Sequence, residues 1–285
     1  MVSLLLQPET IDEAVSALAE HGDDVKVIAG GTAVVLMLQN RLIAPEVLVS
    51  LGRIPGLDRI EVDGDGAIRI GTLATITAAE QSSSIRERLG VLSSTYHQVA
   101  NVRIRNAATV GGNITEADYA SDPPAVLVAL RAQANVTGPR GQREIPLTDL
   151  FTGFYETSLE PDELLTEIVI PPLAPPARAT YLKFTSRSTE DRPCVGVCAI
   201  AAQGADDRCT DLRVVVGAVD EIPREILSAE ELAHGQHLNT ELIREIAERY
   251  AAEIEPLSDL RGSTWYRKEM IRVFVRRALE QVTSS

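Results

Sequence analysis

From Thr10 to Gly22 the apolar positions Ile11, Ala14, Val15 and Leu18 recur at helical spacing. Thr10 and Glu13 bracket the start as a capping box, and Gly22 offers a C-terminal cap. Residues 25–29 form a short apolar run with strand character, residues 33–39 return to the helical period, and residues 46–50 read as a second strand. That order predicts a small βαβ unit with parallel pairing. After Pro55-Gly56 the texture changes to strict alternation: residues 59–62 and 67–70 flank Asp63-Gly64-Asp65-Gly66, a strong hairpin signal. Helical stretches follow at 75–81 and near 89–100. Asp122-Pro123-Pro124 then opens an apolar helix through Leu130, where proline suits the first positions. Strands at 132–137 and 164–170 end this part.

Pro171-Pro172-Leu173-Ala174-Pro175-Pro176 fits neither a helix nor a central strand and predicts a stiff connector. Beyond it come three strand-like runs, at 179–185, 195–202 and 212–219, then helical stretches near 228–234, 240–254 and 263–282. No segment repeats. The pattern predicts an α+β chain whose C-terminal part is a three-stranded antiparallel sheet packed on a helical bundle.

Length and charge narrow the function. At 285 residues the chain exceeds the roughly 100–200 residues of one domain, so two are expected. The apolar fraction of 45% is ample for packed cores. A net charge of −14 repels phosphate backbones and anionic lipid, and an aromatic fraction of 4% leaves little for base stacking. Nucleic acid and membrane surfaces are therefore poor partners. No run approaches the roughly 20 apolar residues of a membrane span. The start, Met1-Val2-Ser3-Leu4-Leu5-Leu6-Gln7-Pro8, lacks the basic region and apolar length of a signal peptide, so a cytoplasmic location is expected. Cys194, Cys198 and Cys209 are too few for a disulfide framework and read as buried thiols, the first two on one strand face. His234-Gly235-Gln236-His237 has no acidic or cysteine partner nearby, so no metal site is expected, and no catalytic triad is legible. Arg272, Arg276 and Arg277 read as a solvated helix face.

The candidate chemistry lies in two glycine pairs. One stands in Ile28-Ala29-Gly30-Gly31-Thr32-Ala33, at a strand-to-helix junction; the other in Ala108-Thr109-Val110-Gly111-Gly112-Asn113-Ile114. Glycine leaves the main-chain N–H groups unshielded, and such turns bind anionic groups. Neither pair is the Gly-x-Gly-x-x-Gly fingerprint, since Ala33 and Val34 follow Gly31, and no Walker lysine follows Thr32. Two such turns, with Thr32, Thr109 and Asn113 as adjacent donors, suggest a clamp on the diphosphate of a dinucleotide.

Four segments, Ala29-Gly30-Gly31-Thr32, Arg105-Asn106-Ala107-Ala108-Thr109-Val110-Gly111-Gly112-Asn113-Ile114, Ser121-Asp122-Pro123-Pro124 and Leu164-Leu165-Thr166-Glu167-Ile168-Val169-Ile170-Pro171, occur in this order. Together they resemble the FAD-binding medium subunit of molybdenum hydroxylases, the carbon monoxide dehydrogenase and xanthine dehydrogenase type. Tyr181-Leu182-Lys183-Phe184-Thr185-Ser186-Arg187 and Val214-Val215-Val216-Gly217-Ala218-Val219 resemble the C-terminal domain of the same subunits, so the likeness spans nearly the whole chain. It implies a two-part FAD-binding domain over residues 1–172, a small βαβ lobe (about 1–56) and a mixed or antiparallel α+β lobe (about 57–172), then a C-terminal flavoprotein domain over 177–285. It also implies partners: a large subunit with the molybdenum cofactor and a small one with 2Fe-2S clusters, as a dimer of heterotrimers. Electrons would pass from the clusters through FAD to an external acceptor.

The resemblance implies roles for individual residues. Val27, Ile28, Ala29, Gly30, Gly31, Thr32, Ala33 and Val34 would wrap the pyrophosphate, with Thr109, Gly111, Gly112 and Asn113 closing on it and on the ribityl chain. Asp122 would bind a cofactor hydroxyl or amine; as residues alone it is equally a helix N-cap. Leu165 would pack on the adenine end, where a plain core role is the alternative. Lys183 would approach the isoalloxazine, where a cation favours the reduced cofactor; an exposed lysine on an edge strand is the alternative. FAD would be held non-covalently. Some relatives place an aromatic over the flavin where Arg192-Pro193 stands here, which leaves the acceptor open. Two other readings remain at this point: a stand-alone FAD oxidoreductase of the vanillyl-alcohol oxidase type, and a non-catalytic nucleotide-binding module.

Overall fold

The computed structural model describes residues 2–283; Met1, Ser284 and Ser285, at the outer limits of the two expected domains, lie outside the described residues. The N-terminal lobe is a three-stranded sheet ordered Leu4–Leu6, Val47–Ser50, Val25–Ile28, with all pairing parallel. Helix Ile11–His21 lays Ala14, Val15, Ala17 and Leu18 on it, over a core that includes Val49, Leu51 and Leu57. The Thr10 hydroxyl accepts from Glu13 N at 3.1 Å, as the capping box requires, but Glu13 returns to Glu9 N at 2.8 Å rather than to Thr10. The strand Leu4–Leu6 was not expected, because three leucines in a row carry no period.

The second lobe is a five-stranded sheet ordered Ile60–Val62, Ile68–Gly71, Leu164–Ile170, Gln133–Gly138, Gly141–Pro146, antiparallel throughout. Leu164–Ile170 is its centre, and a bulge lies between Leu165 and Glu167. Helices Ile76–Gln81, Gly90–His97, Val110–Thr115 and Pro123–Ala129 cover one face, packing Ile76, Leu92, Tyr96, Ile114 and Leu127 on Ile68, Ile70 and Ile168.

The C-terminal sheet has four strands rather than three: Arg178–Phe184, Val195–Gln203, Cys209–Gly217 and Arg224–Glu225, all antiparallel. The fourth is a two-residue edge strand, too short to show alternation. Val195–Gln203 is buried on both faces. Val195, Val197, Ala199 and Ala201 meet helices Thr240–Glu253 and Thr264–Thr283, while Cys198 and Ile200 face the core of the second lobe. Cys194 and Cys198 therefore enter different cores, not one face, because Cys194 precedes the strand and escapes its alternation. Burial pushes the Cys198 thiol up to about 12, which makes it unreactive. Fully buried Arg267 ties the end of the sheet, donating to Cys194 O, to Ala218 O and to Asp259 Oδ1 at 2.5 Å.

Candidate functional site: a cleft between the glycine pairs

A cavity of about 550 Å³ opens where the two lobes and the C-terminal sheet meet, within the range of ligand pockets, about 300–1,000 Å³. Its wall includes Val27, the segment Ala29 to Val34, Thr109, Gly112, Asn113, Asp122, Leu165 and Lys183. Of the expected residues only Ile28 and Gly111 stand outside the wall. A larger groove of about 710 Å³ crosses the outer face of the five-stranded sheet, but its central charges are already paired: Arg69 meets Glu167 at 2.6 Å and Asp63 at 3.2 Å. That groove is a solvated sheet face; the cleft is the candidate site.

The first glycine pair touches the approach to the second. A Cβ on Gly30 would overlap Ala107 O, so only glycine allows this contact, and Gly31 has φ +72°. The N–H groups of Gly30, Gly31, Thr32 and Ala33 have no hydrogen-bond partner among the described residues. They are main-chain donors beside the cavity.

The second pair is built differently. Gly111 and Gly112 lie in the first turn of helix Val110–Thr115, capped by Thr109, whose hydroxyl oxygen accepts from Gly112 N at 3.1 Å. Gly111 N donates to Thr72 O at 3.0 Å, and a Cβ there would overlap the Thr72 side chain. Both glycine N–H groups are thus committed inside the protein. What this segment offers the cleft is side-chain chemistry. The Thr109 hydroxyl keeps its proton to donate, and Asn113 is held by Ser121 through Nδ2 to Oγ at 2.8 Å.

Asp122 and Lys183 form the opposite wall. Asp122 occupies the N-cap position of Pro123–Ala129 but makes no cap bond. Its Oδ2 accepts from Lys183 Nζ at 2.9 Å and its Oδ1 from Tyr181 Oη at 2.7 Å; Lys183 Nζ also donates to Gln98 O at 2.8 Å. The two charged side chains are 5% and 4% exposed, so neither the N-cap reading nor the exposed-lysine reading describes them. Burial raises the Asp122 pKa, against the lowering pull of Lys183 and of the Tyr181 hydrogen bond. Leu165 is 2% exposed and serves core and cavity wall together.

Sequence reasoning missed part of the wall. Val99 and Ala100 line the cavity on a loop fastened by Arg105, which donates to their carbonyls at 3.0 and 3.3 Å and pairs with Glu80 at 3.1 Å. Arg105 stood within the second motif, and that was the available signal. Lys26, Glu116, Asp118 and Arg192 also line the cleft. Arg192 pairs with Asp118 at 2.6 Å, so a paired cation forms this part of the wall. Burial raises the pKa of Glu116. Among the described residues no group of three or more acidic, histidine or cysteine side chains is placed to hold a metal.

Residues 2–173 match the FAD binding domain in molybdopterin dehydrogenase, and residues 180–282 the CO dehydrogenase flavoprotein C-terminal domain. The chain belongs to the FAD-subunit family of the molybdenum hydroxylases. It is 34% identical over 273 residues to the nicotine 6-hydroxylase medium subunit of Paenarthrobacter nicotinovorans, covering 95% of this chain and 94% of that one. It is 29% identical to the glyceraldehyde dehydrogenase medium chain of Sulfolobus acidocaldarius, covering 97% of each. The fold matches carbon monoxide dehydrogenase of Hydrogenophaga pseudoflava, in a form lacking the Mo-pyranopterin moiety of the molybdenum cofactor. The TM-score is 0.95 at 29% identity, over 99% of this chain and 97% of that one. The family consists of FAD-binding subunits of oxidoreductases, and this chain is one. Among the described residues no helix is long and apolar enough to cross a membrane.

Proposed function

We propose that this chain binds one FAD non-covalently in the cleft and relays electrons from 2Fe-2S clusters on a small partner subunit to an external acceptor. It would do so in the cytoplasm, within a dimer of heterotrimers whose large subunit holds the molybdenum cofactor and oxidises the substrate. The observation that carries the reading is the pairing of unpartnered N–H groups at Gly30 to Ala33 with Lys183 across one cavity. The first suits a pyrophosphate and the second suits an electron-rich ring. When bound, FAD would supply a carrier able to take up electrons one at a time and hold two; this chain's residues would hold it, orient it and set the charge around it. Arg105, itself paired with Glu80, fastens the loop carrying Val99 and Ala100 along one cavity wall. Among the described residues no histidine or cysteine lines the cleft, which supports non-covalent binding. Agreement over 94–97% of relatives that are themselves medium subunits weighs against a stand-alone oxidase.

The test is purification of the complex from its native host, followed by acid precipitation. Flavin should appear in the supernatant at one per chain, with molybdenum and iron in the same complex. Flavin retained in the pellet, or a yellow chain that oxidises substrate alone, would contradict the proposal.

A further inference from the structure

Tyr181 and Lys183 stand two residues apart on strand Arg178–Phe184, so their side chains leave the same face of the sheet. Asp122 bridges them, one carboxylate oxygen to each: Oδ1 to Tyr181 Oη at 2.7 Å, Oδ2 to Lys183 Nζ at 2.9 Å. An N-cap aspartate ordinarily turns its carboxylate onto its own helix, and Asp122 does not. Across the strand pair, Gly196 lies opposite Lys183, and a Cβ there would overlap the Tyr181 hydroxyl. Glycine at that position leaves the room in which the hydroxyl reaches Asp122. Lysine has three N–H donors, and two are taken by Asp122 and Gln98 O, which leaves one for the cavity that Lys183 lines.

We propose that Tyr181 is a positioning residue for the flavin site: its hydroxyl clamps Asp122, and the clamped carboxylate holds Lys183 at the cavity wall as half of a balanced charge pair. This rests on the reading of Lys183 as the flavin-facing cation. The titratable groups around the carboxylate are Lys183 and Tyr181, with Cys198 paired behind the tyrosine. A donated hydroxyl favours the ionised carboxylate, and the site is nearly dry, so removing the hydroxyl must raise the pH at which Asp122 takes up a proton. Below that pH the lysine charge is no longer balanced, and the flavin becomes easier to reduce.

The experiment is a spectroelectrochemical titration of FAD bound to the full chain between pH 5.5 and 9. It uses the wild type, Tyr181→Phe, Gly196→Ala and Lys183→Met, with folding followed by circular dichroism. Relative to the wild type, the pH at which the flavin potential inflects should move up in Tyr181→Phe. Gly196→Ala should reproduce that move, because it displaces the hydroxyl without deleting it. In a Tyr181→Phe background the added methyl should have a smaller effect, since the two changes act on one contact. A Tyr181→Phe curve that superimposes on wild type, while Lys183→Met still shifts the potential, would overturn the positioning role and leave the lysine reading intact. A Lys183→Met potential equal to wild type would remove the lysine reading and this proposal with it. Loss of flavin from Tyr181→Phe, with retention in Lys183→Met, would put the tyrosine in the fold and also overturn it.

Discussion

The same dipeptide, Gly-Gly, does opposite work at its two occurrences. At Gly30-Gly31 the backbone turns through φ +72° and leaves its N–H groups without protein partners. At Gly111-Gly112 the backbone is helical, both N–H groups are bonded to Thr72 and Thr109, and the absent Cβ of Gly111 makes room for Thr72. The first pair presents free main-chain donors beside the cavity; the second is shaped toward the sheet behind it, and on the proposed reading it builds the wall that FAD would meet. A motif thus locates a site without saying which atoms serve it.

That contrast can be broken most forcefully at Gly111. Its added side chain would overlap Thr72 in a fully packed region, so Gly111→Val should destabilise the flavin-free chain by about 3 kcal/mol. The check is denaturant unfolding without FAD. An unchanged midpoint would return Gly111 to a purely ligand-facing role.

The pH of such measurements matters, because buried Glu230 adds a dependence of similar size. Its Oε1 accepts from Val214 N at 2.7 Å and faces Tyr250 Oη at 2.8 Å, while that same hydroxyl also faces Val214 O at 2.7 Å. One tyrosine proton cannot serve both acceptors. Burial pushes Glu230 up to about 7 from an ordinary 4.5. With the folded pKa raised, its contribution to stability is full below about pH 4.5 and falls as pH rises to about 7. The slope is about 1.4 kcal/mol per pH unit. Glu230→Gln should flatten that slope, measured as unfolding free energy against pH. The glycine variants are best compared above pH 8, where this term is constant.

Gly30→Ala comes next, at about 2 kcal/mol, since the clash is with the main chain of Ala107 but the loop is only half buried. It separates the two segments, so flavin affinity should fall at least about 10-fold, a change of roughly 1.4 kcal/mol. Gly31→Ala is the smallest perturbation. Its Cβ would sit 3.4 Å from Ile28 and Val35 side chains, leaving mainly the left-handed backbone penalty of about 1 kcal/mol. Flavin content should survive in Gly31→Ala, as judged by absorbance after gel filtration.

Local signals made much of this fold legible. Leu164–Ile170 is a mostly apolar run between Glu163 and the proline pair Pro171-Pro172 and matched its expected limits, and Asp63 folds the 63–66 hairpin by accepting from Asp65 N and Ala67 N. Elements without a period escaped notice. Gly141–Pro146 is exposed on nearly every residue, Ser83–Arg88 is short and polar, and Val102–Arg105 is one helical turn. At the site, residue types announced the glycine pairs, but their partners lie far along the chain. Gly111 answers to Thr72, Gly30 to Ala107, and Asp122 to Tyr181 and Lys183. Pairings at that range depend on sheet order, which no local pattern encodes.

The contrast between the pairs is tested most directly by amide hydrogen exchange on the full chain, with and without FAD. Gly30, Gly31, Thr32 and Ala33 should exchange fast in the free protein and slow markedly with FAD. Gly111 and Gly112 should be protected in both states, because their N–H groups already have protein partners. Protection at 30–33 that FAD does not change, with new protection appearing at 111–112, would contradict the account.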